Sequence, residues 1–366
     1  MTRGRFCMGG AALRCTLCPH RCRLLPGKAG LCGVRRGPAE TVFPAEDSRT
    51  PVQGPAAGGP ELPYYGLVTA LAHDPVEKKP LYHWRPGSLI ASAGFAGCNL
   101  HCPFCQNWHI SQLGHEAPDA RGGAGAGRRT APEELVAAAE AGASSAIAYT
   151  YSEPLVHAEF LVEAMEIARS RGMANVLVTN GCANAEPARE ILKLTDAANI
   201  DLKCFSKKTY GEVLGGDLRR VLDFISTALE LGVHTEITTL IVPGLNDRQE
   251  ELDALADFIA DLAGVPDRVV PWHLSAYHPD WKWNAPPTGS AALAGIARRA
   301  RERRKELRYV YIGNAAAPPE FRDTVCPACG AVLVKRGGYR IDTRGLMGTR
   351  PYYCAACKNP APFRYE

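Results

Sequence analysis

The chain has 366 residues, 46% of them hydrophobic and 22% charged, the composition of a globular protein with two or three folded units. Its 42 basic and 38 acidic side chains leave a net charge of only +4, so no strong field marks a nucleic-acid or membrane partner. No apolar run reaches the roughly 18 residues that a spanning helix needs.

Fourteen cysteines are the unusual feature, and eleven fall into three compact groups, leaving Cys7, Cys182 and Cys204 over. The first group, Cys15, Cys18, Cys22 and Cys32, sits in residues 1–60, which are rich in Gly, Pro and Cys and show little periodicity. The apolar stretch Met8 to Leu13 is too short for an export signal, and Arg14 stands where a lipobox needs a small residue before Cys15. A cytoplasmic protein is therefore expected, and in it short-spaced thiols read as metal ligands rather than disulfides. For this first group, zinc and an auxiliary Fe–S cluster are both open. A Pro/Gly linker, Pro51 to Pro60, closes the unit.

Over 61–315 the texture changes to apolar strands alternating with amphipathic helices. Strands are predicted at Ser88–Gly94, Ser145–Tyr151, Asn175–Thr179, Ala197–Leu202, His234–Val242, Val269–Leu274 and Arg308–Ile312, with helices at Pro132–Ala141, Pro154–Arg171, Leu218–Leu231, Arg248–Leu262 and Ser290–Glu306. Regular βα alternation means an α/β fold with a parallel sheet; the pattern does not choose between an open doubly wound sheet and a barrel. Arg121–Arg129 reads as a loop, and the basic stretch Arg298–Arg308 as a solvated helix face. After Asn314 a third unit, 316–366, carries Cys326, Cys329, Cys354 and Cys357 as two C-x2-C knuckles. Four thiols so spaced predict a closed zinc ribbon, with an auxiliary Fe–S cluster as the rival.

The sharpest signal is GCNLHCPFCQN at 97–107. Cys98, Cys102 and Cys105 give C-x3-C-x2-C directly after a predicted strand. Three thiolates cannot close a tetrahedral zinc site, but they can hold three irons of a 4Fe–4S cluster and leave the fourth open. A structural site completed by His101 or His109 is the alternative reading of the spacing.

With Phe104 before Cys105, this segment resembles the C-x3-C-x-aromatic-C motif of the radical S-adenosylmethionine (SAM) superfamily. Further phrases, DPVEKKPLYHWRPGS (74–88), CPFCQNWHISQ (102–112), YTYSEP (149–154), VTNG (178–181), NIDLK (199–203), VPGLND (242–247) and HLSAYHP (273–279), resemble the AmmeMemoRadiSam radical enzyme family, relatives of pyruvate formate-lyase activating enzymes. The resemblance implies a partial (β/α)6 radical-SAM barrel flanked by the two small Cys-rich units. It also implies a 4Fe–4S cluster whose open iron takes SAM, a flavodoxin or ferredoxin reductant, and Memo-like and AMME-syndrome-candidate-like proteins as partners.

The same resemblance implies the SAM pocket. Glu153, after Ser152 in a motif lacking the superfamily's two glycines, should face the SAM ammonium. Lys203 should approach the carboxylate with Asp201 ordering the site, and His278 should lie near the adenosyl group. Thr179 and Asn180 end a strand, where ligands gather in barrels. Asp201 and Lys203 share one strand face with Asn199, and Glu236 and Thr238 form another same-face pair that a structural salt bridge also explains. Cys182, just past that strand end, is a candidate thiol near the radical, or a small loop residue; Cys204 has the parity of a buried core thiol. The expected reaction is hydrogen abstraction from a small molecule, with glycyl-radical installation on a partner protein as the alternative. A non-catalytic nucleic-acid-binding module is the third reading.

Overall fold

The computed structural model describes residues 4–9, 13–38, 59–113, 127–348 and 351–364. The middle of the Met8–Leu13 stretch, most of the Pro51–Pro60 linker and the segment 121–126 of the Arg121–Arg129 loop lie outside them.

Eight strands make the main sheet: β1 (Leu67–Pro75), β2 (Leu89–Phe95), β3 (Ala146–Thr150), β4 (Ala174–Thr179), β5 (Ala197–Asp201), β6 (His234–Ile241), β7 (Trp272–Ala276) and β8 (Val310–Gly313), with the short edge strand Arg128–Arg129 beyond β1. From β2 to β8 the strands are parallel and lie side by side in chain order. A doubly wound sheet reverses its strand order at a switch point. This sheet never reverses, so each βα unit extends the same curl and the architecture is a barrel left open between β8 and β1. Residues Ile90–Phe95 and Ala146–Thr150 are buried throughout, as strands covered on both faces must be.

Helices α1 (Pro132–Ala141), α2 (Ala158–Ser170), α3 (Ala185–Leu192), α4 (Leu218–Glu230), α5 (Gln249–Ala263) and α6 (Ser290–Arg303) fill the connections. The arginines of α6 do not form a free basic face. Arg299 pairs with Asp253 at 2.9 Å, Arg303 with Asp257 at 2.6 Å, and Arg304, just past the helix, with Asp261 at 2.7 Å. The cations are laid against the acidic helix α5.

Strand β1 runs antiparallel to β2 and is absent from the sequence reading. The segment after it, 76–88, plugs the N-terminal end of the barrel: Val76, Leu81 and Trp84 are fully buried among Ile90, Ala146, Ala148, Ala174, Val176 and Ala197. The Cys-rich tail docks beneath this plug. Arg364 N donates to His83 O at 2.9 Å, and Arg336 donates to Tyr82 O at 2.8 Å with its guanidinium 4.1 Å from the Tyr82 ring centre.

The N-terminal unit docks at the other end. Its strands Cys7–Met8, Leu13–Cys15 and Arg23–Leu24 form a small antiparallel sheet. Phe6, Leu13, Leu17, Leu24 and Val34 belong to the same apolar core as Phe95 and Leu100. Asn184 fixes the contact by donating to Thr16 O at 2.7 Å and Cys18 O at 2.9 Å. The two cysteine-rich units thus cap opposite ends of one barrel.

Candidate active site

Strand β2 delivers the cysteine loop to the C-terminal face, where barrel ligands collect. Gly97 turns the chain there with φ +81°, and a Cβ on it would fall 2.5 Å from Cys32 O and against Val34. Only glycine fits that turn. Leu100 N donates to Cys98 Sγ at 3.3 Å, and the Asn180 side-chain amide reaches the same sulfur at 3.6 Å. Cys105 Sγ lies 3.3 Å from Ser111 Oγ. Burial pushes the free Cys98 thiol well up, and pushes Cys102 up to about 12 against the pull of Lys203. Metal coordination removes such protons outright.

Glu153 is brought beside this loop. It is buried, takes Thr179 Oγ1 at 2.6 Å and Leu155 N at 3.0 Å on one oxygen, and takes Asn180 N at 2.8 Å on the other. Burial nevertheless pushes its carboxyl up to about 7. The preceding turn is tied to the cysteine loop: Ser152 Oγ donates to Phe95 O at 2.6 Å, and Asn107 donates to Tyr151 O at 2.6 Å. Across the barrel, Lys203 Nζ donates to Asp201 Oδ2 at 3.1 Å. Burial alone would lower the lysine pKa, but Asp201 outweighs it and raises it, so the side chain is cationic. His278 is exposed at the rim, with its Nε2 2.9 Å from the Gln106 amide.

Thr238 lies in register with Asp201, and its buried hydroxyl has no partner among the described residues. One layer lower, Asn199 donates to Pro80 O at 2.8 Å while its buried Oδ1 is also unpartnered. Buried polar atoms are normally satisfied. Orphans on the inward face of β5 and β6 fit a polar ligand in the lumen.

Two sequence expectations are corrected. Glu236 shares its face with Thr238 but sits on the floor. It accepts from Tyr82 N at 3.0 Å and His83 N at 2.7 Å, and it meets His234 at 2.9 Å and His273 at 2.6 Å. Its oxygens are taken up by the plug backbone and by two strand histidines, which is the structural salt-bridge reading. Cys182 is fully buried, its sulfur beside Gly216 and the Asp217 backbone, and burial pushes it up to about 11. Cys204 is buried as well, with its sulfur 3.8 Å from Ser206 O.

Sequence reasoning passed over Tyr151. This residue holds φ +71°, its ring lies where a Gly94 Cβ would stand 2.8 Å away, and its hydroxyl donates to Asp74 at 2.8 Å. Lys79 is buried, 2.8 Å from Asp74 and 4.8 Å from the Tyr151 ring centre. The signal was available in Asp74 and Lys79 of the 74–88 phrase, which has no reason to bury two opposite charges unless they meet.

In the tail, Cys326–Cys357 and Cys329–Cys354 sulfurs are each 3.7 Å apart, and all four thiols lie within 4.8 Å of one another. Among the described residues no other group of three ligating side chains converges so closely. This set could hold a metal ion.

The family model described as "Radical SAM superfamily" matches residues 94–259. An uncharacterised protein of Methanocaldococcus jannaschii is 38% identical over 326 residues, 88% of this chain and 87% of its own length. This chain belongs to the radical SAM superfamily. The pyruvate formate-lyase-activating enzyme of Clostridium pasteurianum is 27% identical over 58% of this chain and 86% of its own length, and an Escherichia coli pyruvate formate-lyase 1-activating enzyme is 26% identical over 52% and 76%. Among solved structures, QueE from Escherichia coli aligns with TM-score 0.43 at 14% identity, covering 70% of this chain and 94% of that one. The protein is a radical SAM enzyme, and SAM and a 4Fe–4S cluster are the superfamily's cofactors. Among the described residues no helix is long and apolar enough to cross a membrane.

Proposed function

We propose that Cys98, Cys102 and Cys105 hold the 4Fe–4S cluster, and that SAM lies between Glu153 and Lys203 over the Thr238 hydroxyl. The observation that carries this reading is the meeting of the three-thiol loop with a buried carboxyl on one side and a half-buried ammonium on the other. When bound, the cluster and SAM supply a 5′-deoxyadenosyl radical after one-electron reduction, and that radical takes a hydrogen atom from substrate. Asn180 holds Glu153 with its backbone and Cys98 with its side chain, so one residue sets the distance between the ammonium site and the cluster. An ammonium beside Glu153 draws its carboxyl back to the ionised form. Lys203 faces the SAM carboxylate and Asp201 holds it there, while His278 at the rim lies toward the adenosyl group. Thr179 buttresses Glu153, and Ser152 fixes the turn.

The substrate is a small molecule. The N-terminal unit covers the face beside Gly97 and Cys98, which leaves less room for a protein loop, and the lumen below offers Tyr151 and the Asp74–Lys79 pair as polar contacts. The alternative, glycyl-radical installation, is supported by the activating enzymes among the relatives. Memo-like and AMME-syndrome-candidate-like partners rest on the sequence resemblance. In the tail, the 3.7 Å sulfur separations match the edge of about 3.8 Å in a tetrahedron with zinc–sulfur bonds of about 2.3 Å. Thiolates on the separate irons of a cluster stand farther apart, so the tail is assigned zinc.

Anaerobically reconstituted protein given dithionite and SAM should release 5′-deoxyadenosine. Cys98→Ala/Cys102→Ala/Cys105→Ala should abolish that product while zinc content stays unchanged. Persistent product in the triple variant overturns the assignment.

A further inference from the structure

The first cysteine group, outside the reaction described so far, has a geometry that sorts it with one of the other two. Cys15, Cys18, Cys22 and Cys32 lie together in one small unit, yet no three of their sulfurs converge within the 4.8 Å that encloses the tail set. The three sulfurs of the 98–105 loop do not converge within that distance either. A single zinc ion needs its thiolates about 3.8 Å apart at bonds of about 2.3 Å, whereas a cube with a thiolate on each iron needs them spread.

Amide hydrogens already point at the sulfurs: Leu31 N donates to Cys22 Sγ at 3.3 Å, and backbone N–H groups of His20, Val34 and Arg35 face Cys18 and Cys32. Arg35 is 1% exposed beside this group. Two of its nitrogens grip Glu159 at 2.7 and 2.9 Å, while its buried Nε has no partner among the described residues. An unpaired guanidinium N–H costs free energy unless an anion meets it.

Two more observations give the group a task. Cys32 O abuts Gly97, the residue before Cys98, and His20 Nε2 sits 2.8 Å from Asn99 O, so this unit rests directly on the radical cluster's loop. Residues 13–38 carry six basic side chains and no acidic one, and Arg14, Arg21, Arg23 and Lys28 are exposed. Leu25 and Leu31, 45% and 47% exposed, lie among them. A basic surface with small apolar contacts fits the brief docking of an acidic electron carrier.

We propose that Cys15, Cys18, Cys22 and Cys32 hold a second 4Fe–4S cluster, through which an acidic, low-potential one-electron donor protein of the flavodoxin or ferredoxin class delivers its electron to the Cys98–Cys105 cluster. One electron leaves the donor and one arrives at the neighbouring cluster; no bond forms or breaks in the relay. The inference rests on the reading of 98–105 as a cluster site, because that loop is the internal standard for spread thiols.

Metal analysis of reconstituted wild-type protein should give about eight irons and one zinc, and Cys98→Ala/Cys102→Ala/Cys105→Ala should keep about four irons with an EPR signal on reduction. Two zinc ions in the wild type, or no iron in that triple variant, overturns the second cluster and leaves the SAM reading standing. Fully reduced wild type should show magnetic interaction between two clusters, lost in the triple variant; two non-interacting signals overturn the relay. Arg21→Glu/Arg23→Glu/Lys28→Glu, which touches only exposed side chains, should slow cluster reduction by reduced flavodoxin at least about tenfold at low salt and leave reduction by dithionite unchanged. Equal flavodoxin rates overturn the docking surface. If iron, spin coupling and flavodoxin reduction behave as stated but no 5′-deoxyadenosine forms, the proposed function fails while the relay survives.

Discussion

In the proposed SAM pocket Glu153 and Lys203 do opposite electrostatic work on one ligand, and each is held for it by a specific neighbour. Glu153 spends backbone and hydroxyl donors on keeping a carboxyl buried, and Lys203 keeps its charge through Asp201. Glu153→Ala and Lys203→Ala should each weaken SAM binding by roughly 10- to 150-fold, the loss of one charge-assisted hydrogen bond of about 1.5–3 kcal/mol, without loss of iron. Calorimetry on the two variants, with iron analysis alongside, checks this; unchanged affinity in both defeats the pocket. The assignment of these positions came from the family resemblance, and a two-residue period added only that Asn199, Asp201 and Lys203 share a face. Depth along that face was not legible. Thr238 and Glu236 share it, yet one stands level with Asp201 and the other is consumed by the floor. Cys182 was left between two readings for a related reason: chain position put it at the mouth, and Gly181 at φ +65° then turns the chain so that the thiol lies beside Gly216.

At the scale of elements, the plug 76–88 decides how the barrel is closed below. Its Trp84 is fully buried among small side chains of β3, β4 and β5, which leave room for one large ring. Trp84→Ala should cost about 3–5 kcal/mol by opening a cavity that alanines cannot refill, a loss readable by denaturant unfolding. A change under about 1 kcal/mol would mean the plug is not a packed element. The sequence announced helices best where a proline or a capping residue begins them, as at Pro132 and Asp217, whose side chain accepts from Arg219 N. Strand β1 escaped because its middle residues, Ala70 and Leu71, are exposed and Pro75 ends it, so it shows neither the apolar run nor the clean alternation of its neighbours. Its presence follows from the open barrel, where the first parallel strand still needs a partner on its outer edge.

Across the whole molecule, the cysteine groups are divided between mouth and floor, and the floor carries the acid sensitivity. His83 stacks on Phe363 with ring centres 5.1 Å apart, and its nitrogens meet Pro362 O at 2.6 Å and Tyr311 OH at 2.7 Å. Burial pushes its pKa down to about 3, so the folded protein keeps this imidazole neutral. Below its ordinary value of 6.5 the unfolded chain binds a proton that the folded chain refuses, and stability falls with pH from there toward about 3. Glu236 adds to the same limb. Burial would raise its carboxyl, but the hydrogen bonds from His234 and His273 hold it well below the usual 4.5, so its contribution is present above that pH and lost beneath it. Both groups sit where the tail meets the plug, so acid should loosen the tail first and the mouth later. Hydrogen exchange between pH 7 and 4 should show protection lost around Tyr82–Trp84 and Pro362–Arg364 before it is lost around Cys98–Cys105, and Glu236→Gln should flatten the fall below about pH 4.5. Loss of protection at the mouth first, or a pH profile of Glu236→Gln identical to wild type, would show that the floor network is not the acid-labile joint.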